Sequence, residues 1–305
     1  MEKIKIGSSQ LSASQLGLGC MRMADESKEK AVEVINTAFE QGITLFDHAD
    51  IYGKGQSEIL FAQALKDSDA RREDIILQSK VGIRDGYFDF SKEHILKATD
   101  GILERLDTEY LDILLLHRPD TLMEPEEVAE AFDVLYMSGK VRYFGVSNQN
   151  PGQIKLLQKH LNRPLIANQL QFGPAHTPMI DAGFNVNMTN DLSVNHDGGI
   201  LEYCRLNDIT IQPWSPFQVS LSEGLFINHP DYQEMTKVMK NLAEHYNVSL
   251  EAIVIAWINR HPAKMQTIAG SMSPKRIKDM SEAFSINLTK QEWYDVYKSG
   301  GRKLP

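Results

Sequence analysis

The feature that most constrains this chain is its alternation of short apolar runs with longer segments of helical period. Runs such as ITLFD (43–47), IILQSK (75–80) and LDILLLH (111–117) are strand-like, and each is followed by a segment with helical spacing of its apolar residues. Strands that alternate with helices predict a parallel sheet. Candidate strand ends fall at Gly19, Asp47, Lys80, His117, Val146, Gln169, Trp214 and Gly270, which makes eight strand–helix units. Eight such units in 305 residues fit a (β/α)8 TIM barrel, a fold that runs to about 250 residues or more as one unit. No linker-like boundary, low-complexity segment or short repeat interrupts the pattern, so residues 1–305 read as one domain.

Helix ends are legible. In SKEKAVEVINTAFEQG, Ala31, Val34, Ala38 and Phe39 share a face and Gly42 suits the position just past the helix. Ser91 and Ser249 suit helix caps, and Pro151 and Pro274 suit first turns. The opening stretch KIKIGSSQLSASQLG alternates like an N-terminal β-hairpin that could plug the amino-terminal mouth of the barrel. Two connections, from Gln171 to about Gly199 and from Ser215 to about Tyr232, are too long for simple turns. Both leave the carboxyl-terminal face, where barrel active sites lie, and long ordered loops usually cover a site.

The formal charge of −9 argues against a nucleic-acid partner, which needs a basic surface. No run of about 18 apolar residues is present to span a membrane, and the first residues lack the apolar core of a signal peptide. Cys20 and Cys204 are too few for a disulfide framework, which makes the cytosol, a cytoplasmic setting, the expected compartment. The histidines and cysteines show no metal-ligand spacing, and no nucleophile elbow or phosphate-binding Gly-Lys loop occurs.

Asp47, Tyr52, Lys80 and His117 lie at or just past strand ends and can converge on one point. An unperturbed phenol has a pKa of about 10, and a nearby cation favours its ionised form. Lys80 could supply that cation, Asp47 could hold the ammonium, and His117 could orient a substrate oxygen. Singly, each has a plainer role: Asp47 could bind a turn, Tyr52 could pack in a loop, Lys80 could be a solvated rim charge, and His117 could be a core residue.

Seven segments in order, GITLFDHADIYGKGQSE (42–58), IILQSKVG (75–82), LLLHRPD (114–120), GKVRYFGVSN (139–148), ANQLQ (167–171), PWSP (213–216) and IAGSMSPKRI (268–277), extend over nearly the whole chain. The set resembles the aldo-keto reductases, and the variants D-H-A-D-I-Y-G and H-R-P-D are similar to a bacterial, YdhF-like branch of predicted oxidoreductases. The resemblance implies an NADP(H)-dependent oxidoreductase that reduces aldehyde or ketone carbonyls on small molecules by hydride transfer from nicotinamide C4. Asp47, Tyr52, Lys80 and His117 match the family's catalytic residues, with Tyr52 as general acid.

The resemblance also assigns a cofactor site. Ser147, Asn148 and Gln169 match residues that hold the carboxamide, with Asn148 alternatively a helix cap. Trp214 stands where a tyrosine usually stacks on the nicotinamide, with a core aromatic as the alternative. Gly19, Cys20 and Met21 match the loop approaching the ring, where Cys20 reads as packing rather than as a nucleophile. Ser215, Phe217 and the 218–224 loop with Gly224 match a pyrophosphate clasp, and Ser271 and Arg276 match ligands of the 2′-phosphate. A guanidinium pairs with a phosphate bidentately, so Arg276 makes NADPH (NADP+) rather than NADH the expected cofactor, whereas Gly270 in place of a common lysine and Met280 in place of a common asparagine take away contacts that Lys275 could partly restore. Met21, Met23, His48, Tyr52, His117, Phe172, Trp214 and the 171–199 loop are expected at the substrate pocket; His48 could instead be a donor behind it, and Phe172 and the methionines could be loop packing. GLGCMRM also resembles relatives of this fold that serve as nicotinamide-sensing subunits, which implies a different class of function, a sensor or regulatory subunit with slow turnover. A barrel hydrolase is disfavoured, because no paired carboxylates accompany a metal or nucleophile.

Overall fold

Eight parallel strands close into a barrel in the computed structural model, which describes residues 1–220 and 222–305. In chain order the strands are β1 (Lys3–Lys5), β2 (Ser12–Ser14), β3 (Leu16–Gly19), β4 (Leu45–Asp47), β5 (Ile76–Val81), β6 (Leu111–Leu116), β7 (Val141–Ser147), β8 (Leu165–Gln171), β9 (Thr210–Trp214), β10 (Gln218–Ser220), β11 (Gly224–Leu225) and β12 (Thr267–Ala269). The helices are α1 (Lys28–Glu40), α2 (Gln56–Lys66), α3 (Lys92–Arg105), α4 (Pro125–Met137), α5 (Pro151–Gln158), α6 (Pro178–Phe184), α7 (Ile200–Leu206), α8 (Gln233–Tyr246), α9 (Leu250–Asn259), α10 (Pro274–Ser281) and α11 (Lys290–Ser299). Strands β3 to β9 follow one another around the barrel, and β12 closes it by pairing with both β9 and β3. Because every barrel pair is parallel, each connection must cross outside the sheet, and helices make those crossings.

Alternation along the strands decides what faces the axis. On β5, Ile76, Gln78 and Lys80 point inward, while Leu77 and Val81 pack against the helices. On β6, Ile113 and Leu115 fill the barrel and Leu114 and Leu116 pack outside it. The inward row continues past the strand end to His117, and on β4 the same parity carries Leu45 to Asp47. The barrel interior therefore changes from aliphatic at the amino-terminal end to polar at the carboxyl-terminal rim.

The lower end is closed by the expected hairpin. β1 and β2 pair antiparallel, and Ile6 and Ala13 join Leu45, Ile76, Ile113, Ile166 and Ile268 in one buried cluster. The tip is held where Gly7 N–H donates to Thr210 Oγ1 at 2.7 Å. Gly7 has φ of 52°, and a Cβ there would collide with the Ile166 carbonyl oxygen, so only glycine suits both conformation and space.

Helix ends follow local chemistry. Ser27, Ser91, Ser249 and Ser273 accept backbone N–H bonds as caps, and Asn150 forms a capping box with Gln153 ahead of Pro151. Gly42 follows α1 with φ of 79°. Phe39 is only partly buried, because it lies at the edge of the α1 apolar stripe. The long connection after β8 is ordered around α6 and a 3-10 turn at Asp191–Ser193. The C-terminal tail secures its start, with Arg302 donating to the Pro174 and Ala175 carbonyls and Tyr297 to Asp181. The connection after β9 folds back as the β10–β11 hairpin, in which position 221 lies outside the described residues. Among the described residues no helix is long and apolar enough to cross a membrane.

Candidate active site

Asp47, Tyr52 and Lys80 come together at the carboxyl-terminal rim. Lys80, fully buried, donates from Nζ to Asp47 Oδ2 at 2.7 Å, to the His48 carbonyl at 2.7 Å and to Tyr52 Oη at 3.3 Å. Three acceptors for three ammonium protons leave the buried cation satisfied, as burial of a charge requires. Burial would lower the lysine pKa, but Asp47 and Tyr52 outweigh it and hold the ammonium above its ordinary value. His117 completes the group, its ring edge-on to Tyr52 with centroids 5.9 Å apart.

The phenol does not titrate as the sequence argument expected. Burial raises the Tyr52 pKa by more than Lys80 lowers it, so the net shift is upward. Tyr52 stays protonated at neutral pH with a hydrogen-bond link to an ammonium, the state of a proton donor. His117 is shifted well down by burial and by the neighbouring cations Lys80 and Arg118. Its imidazole is neutral, with Nδ1 buried and without a hydrogen-bond partner.

Below this group runs a column of amides that sequence reasoning missed. Gln266 accepts from Gln212 at 2.9 Å, Gln212 and Gln78 exchange bonds at 2.9 and 3.0 Å, and Gln78 donates to Asp47 Oδ1 at 2.6 Å. Gln169 donates to the same Asp47 oxygen at 3.0 Å. With Lys80 on its other oxygen, the Asp47 carboxylate is fixed from three directions, and so is the ammonium that it holds. Gln78, Gln169 and Gln212 each interrupt a strand and Gln266 directly precedes β12, and that interruption was the available signal.

Beside the Asp47–Lys80–Tyr52 group, Trp214 Nε1 donates to Asn148 Oδ1 at 3.2 Å, Asn148 Nδ2 to Ser147 Oγ at 2.7 Å, and Ser147 Oγ to the Gln169 backbone carbonyl at 3.1 Å. Asn148 adopts φ of 58° and leaves capping of α5 to Asn150, so its amide faces the rim network. Gly19 and Cys20 are buried, whereas Met21 is 45% exposed. Burial, then Asp47, pushes the Cys20 thiol well up, which agrees with packing. Ser215 (φ 50°), Phe217 and Gly224 (φ 81°) shape the loop after β9.

At the start of α10, Ser271 accepts from the Ser273 N–H and Ser273 caps the helix on the Arg276 N–H. Arg276 is exposed, and Lys275 is paired with Asp279 at 2.7 Å, so it is not a free substitute cation. A cation missed in the sequence, Arg22, donates to the Gly270 carbonyl at 2.8 Å. Met280 is core, where it offers no polar contact.

Three expected pocket residues are corrected. Met23, His48 and Phe172 are all 0% exposed. Met23 turns into the core, His48 packs edge-on against Phe61, and Phe172 stacks on Trp257. Burial, then Lys80, lowers the His48 pKa to about 3, and both ring nitrogens lack partners, so its imidazole acts as packing while its carbonyl holds Lys80.

The sequence profile of the Aldo/keto reductase family matches residues 15–299. The chain belongs to the aldo/keto reductase family. This aldo/keto reductase is 35% identical over 299 residues to oxidoreductase YdhF of Escherichia coli, covering 94% of this chain and 93% of that one. It is 29% identical to a 6-dehydroglucose reductase of Agrobacterium fabrum, with 97% of both chains covered. Its fold matches a thermostable aldo-keto reductase crystallised with the inhibitor epalrestat, at a TM-score of 0.78, 25% identity and coverage of 98% and 100%. An oxidoreductase on a (β/α)8 barrel is therefore the class to which it belongs.

Proposed function

We propose that this aldo/keto reductase is an NADPH-dependent carbonyl reductase in which Tyr52 protonates the substrate oxygen. The observation that carries the reading is the Asp47–Lys80–Tyr52 chain at the barrel mouth, at 2.7 and 3.3 Å. Its net effect is a protonated phenol backed by a fixed positive charge, which suits proton donation to an oxygen that gains negative charge. With Nδ1 of the neutral His117 enclosed, Nε2 is the nitrogen left to meet the substrate oxygen and orient it against Tyr52.

The donor set fits a nicotinamide. A carboxamide needs both donors and acceptors, and Ser147, Asn148 and the side-chain Oε1 of Gln169, whose Nε2 is held by Asp47, offer both, with Trp214 as a flat apolar face beside them. The bound cofactor supplies the hydride; the chain supplies the proton, the orientation and the exclusion of water. Gly19, Cys20 and Met21 would border the ring, and Ser215, Phe217 and Gly224 the pyrophosphate. Ser271 and Arg276 at the capped start of α10, with Arg22 beside Gly270, form a cationic, donor-rich corner suited to a 2′-phosphate, which favours NADPH over NADH.

The test follows NADPH consumption across aldehydes and ketones with wild type beside Tyr52→Phe. The reading expects turnover in the wild type and a loss of about a hundredfold or more in the variant with cofactor affinity kept. Tight NADPH binding with no turnover of any carbonyl would refute it and favour the nicotinamide-sensing alternative.

A further inference from the structure

Arg118 follows His117 at the end of β6, and its guanidinium carbon lies 5.5 Å from the centre of the Trp214 ring. It is half-buried, and burial lowers its pKa. Of the other partly buried arginines, Arg72 meets Asp112 at 2.9 Å, Arg105 meets Glu58 at 2.7 Å, Arg163 meets Asp133, Arg302 lies 3.9 Å from Asp181, and Arg260 donates to the Leu288 carbonyl at 2.7 Å. Among the described residues, Arg118 pairs with no carboxylate and donates no hydrogen bond. The nearest acid in sequence, Asp120, is turned to the backbone N–H groups of Phe90 and Leu122. Asp47, the carboxylate at the rim, already accepts from Lys80, Gln78 and Gln169.

A guanidinium that has lost part of its hydration without gaining a counter-ion is unfavourable by itself and becomes favourable when a ligand brings the anion. Its planar fork matches a carboxylate in two parallel hydrogen bonds. Arg118 shares the mouth with Tyr52, His117 and Trp214, so a carboxylate held there can belong to the molecule whose carbonyl reacts. We infer that Arg118 is a specificity residue that binds a carboxylate on the substrate, and that the preferred substrates are small aldehydes or ketones carrying that group. This inference rests on the reductase reading above.

The test compares succinic semialdehyde with its methyl ester, in wild type, Arg118→Leu and Arg118→Lys, by kcat/KM and by the affinity of unreactive succinate measured calorimetrically on the NADP+ complex. The inference expects wild type to favour the acid over the ester by about tenfold or more, the leucine variant to lose that preference, the lysine variant to keep part of it, and succinate to bind about tenfold more weakly to the leucine variant. An acid-to-ester ratio and succinate affinity that are the same in wild type and Arg118→Leu would overturn it. Weakened NADPH binding with an unchanged ratio would also overturn it, by assigning Arg118 to the cofactor. If wild type turns over neither compound, the wider panel of aldehydes and ketones decides the reductase reading, while the succinate affinities still decide the role of Arg118.

Discussion

Replacing Asp50 with asparagine should change how stability depends on pH. Asp50 lies two residues before Tyr52, its N–H donates to the Lys80 carbonyl at 3.1 Å, and its Oδ1 is buried without a partner. Burial, then the nearby Glu58, raises its pKa from 3.8 to about 7, against the opposing pull of Arg105 and Lys80. The folded value lies above the unfolded one, so folding takes up a proton between them and stability falls as pH rises through that window. The loss is absent below the unfolded value and complete once pH exceeds the folded one. At about 1.4 kcal/mol per unit, a shift of roughly three units has a ceiling of about 4 kcal/mol, of which roughly 2–3 kcal/mol develops between about pH 5 and pH 8. Asparagine keeps the shape and cannot ionise. Urea denaturation of both proteins at the two pH values should therefore show the variant gaining on wild type by about that amount at the higher pH, with contributions cancelling from groups that do not interact with Asp50. A stability difference that is the same at both pH values would refute the argument.

Other consequences are simpler. Arg276→Ala should weaken NADPH binding by about tenfold and leave NADH binding nearly unchanged, as read by fluorescence titration; equal losses would remove Arg276 from the 2′-phosphate. Gly7→Ala should destabilise the barrel by on the order of 2–3 kcal/mol in urea denaturation, because φ is 52° and the added Cβ would also lie 2.8 Å from the Asp208 carbonyl oxygen. Under the proposed role of Tyr52, alcohol oxidation needs the phenol ionised, and its pKa is raised. The oxidation rate should therefore keep climbing through about pH 10, where an unperturbed tyrosine titrates, whereas an early plateau would contradict the raised value.

The barrel was legible because its signals are local. Strand ends inferred from apolar runs lie within two residues of the observed ends, and Ser27, Ser91, Ser249 and Ser273 cap helices through atoms three residues away. Asp47, Lys80 and His117 could be placed at the rim because strand parity carries side-chain direction to the strand end. Beyond the strand end that rule stops: Met21 and Met23 are two residues apart, yet one is exposed and the other is core. His48 and Phe172 were misjudged for the same reason. The amide column was hidden because Gln78 and Gln212 are 134 residues apart and meet only when the barrel closes. The direction of the Tyr52 shift needed the degree of enclosure, since Lys80 and burial act oppositely on the phenol. Arg22 and Arg118 carried no signal of their own in the sequence, because only the folded loops bring them to Gly270 and Trp214.

The most direct test of the central claim uses NADPH deuterated on the transferring face of the nicotinamide, with mass spectrometry of the alcohol formed from an aldehyde that the enzyme accepts. The account predicts one deuterium on the former carbonyl carbon of the product. An alcohol formed without that label, or a deuterated cofactor left intact in the presence of every carbonyl offered, would contradict it.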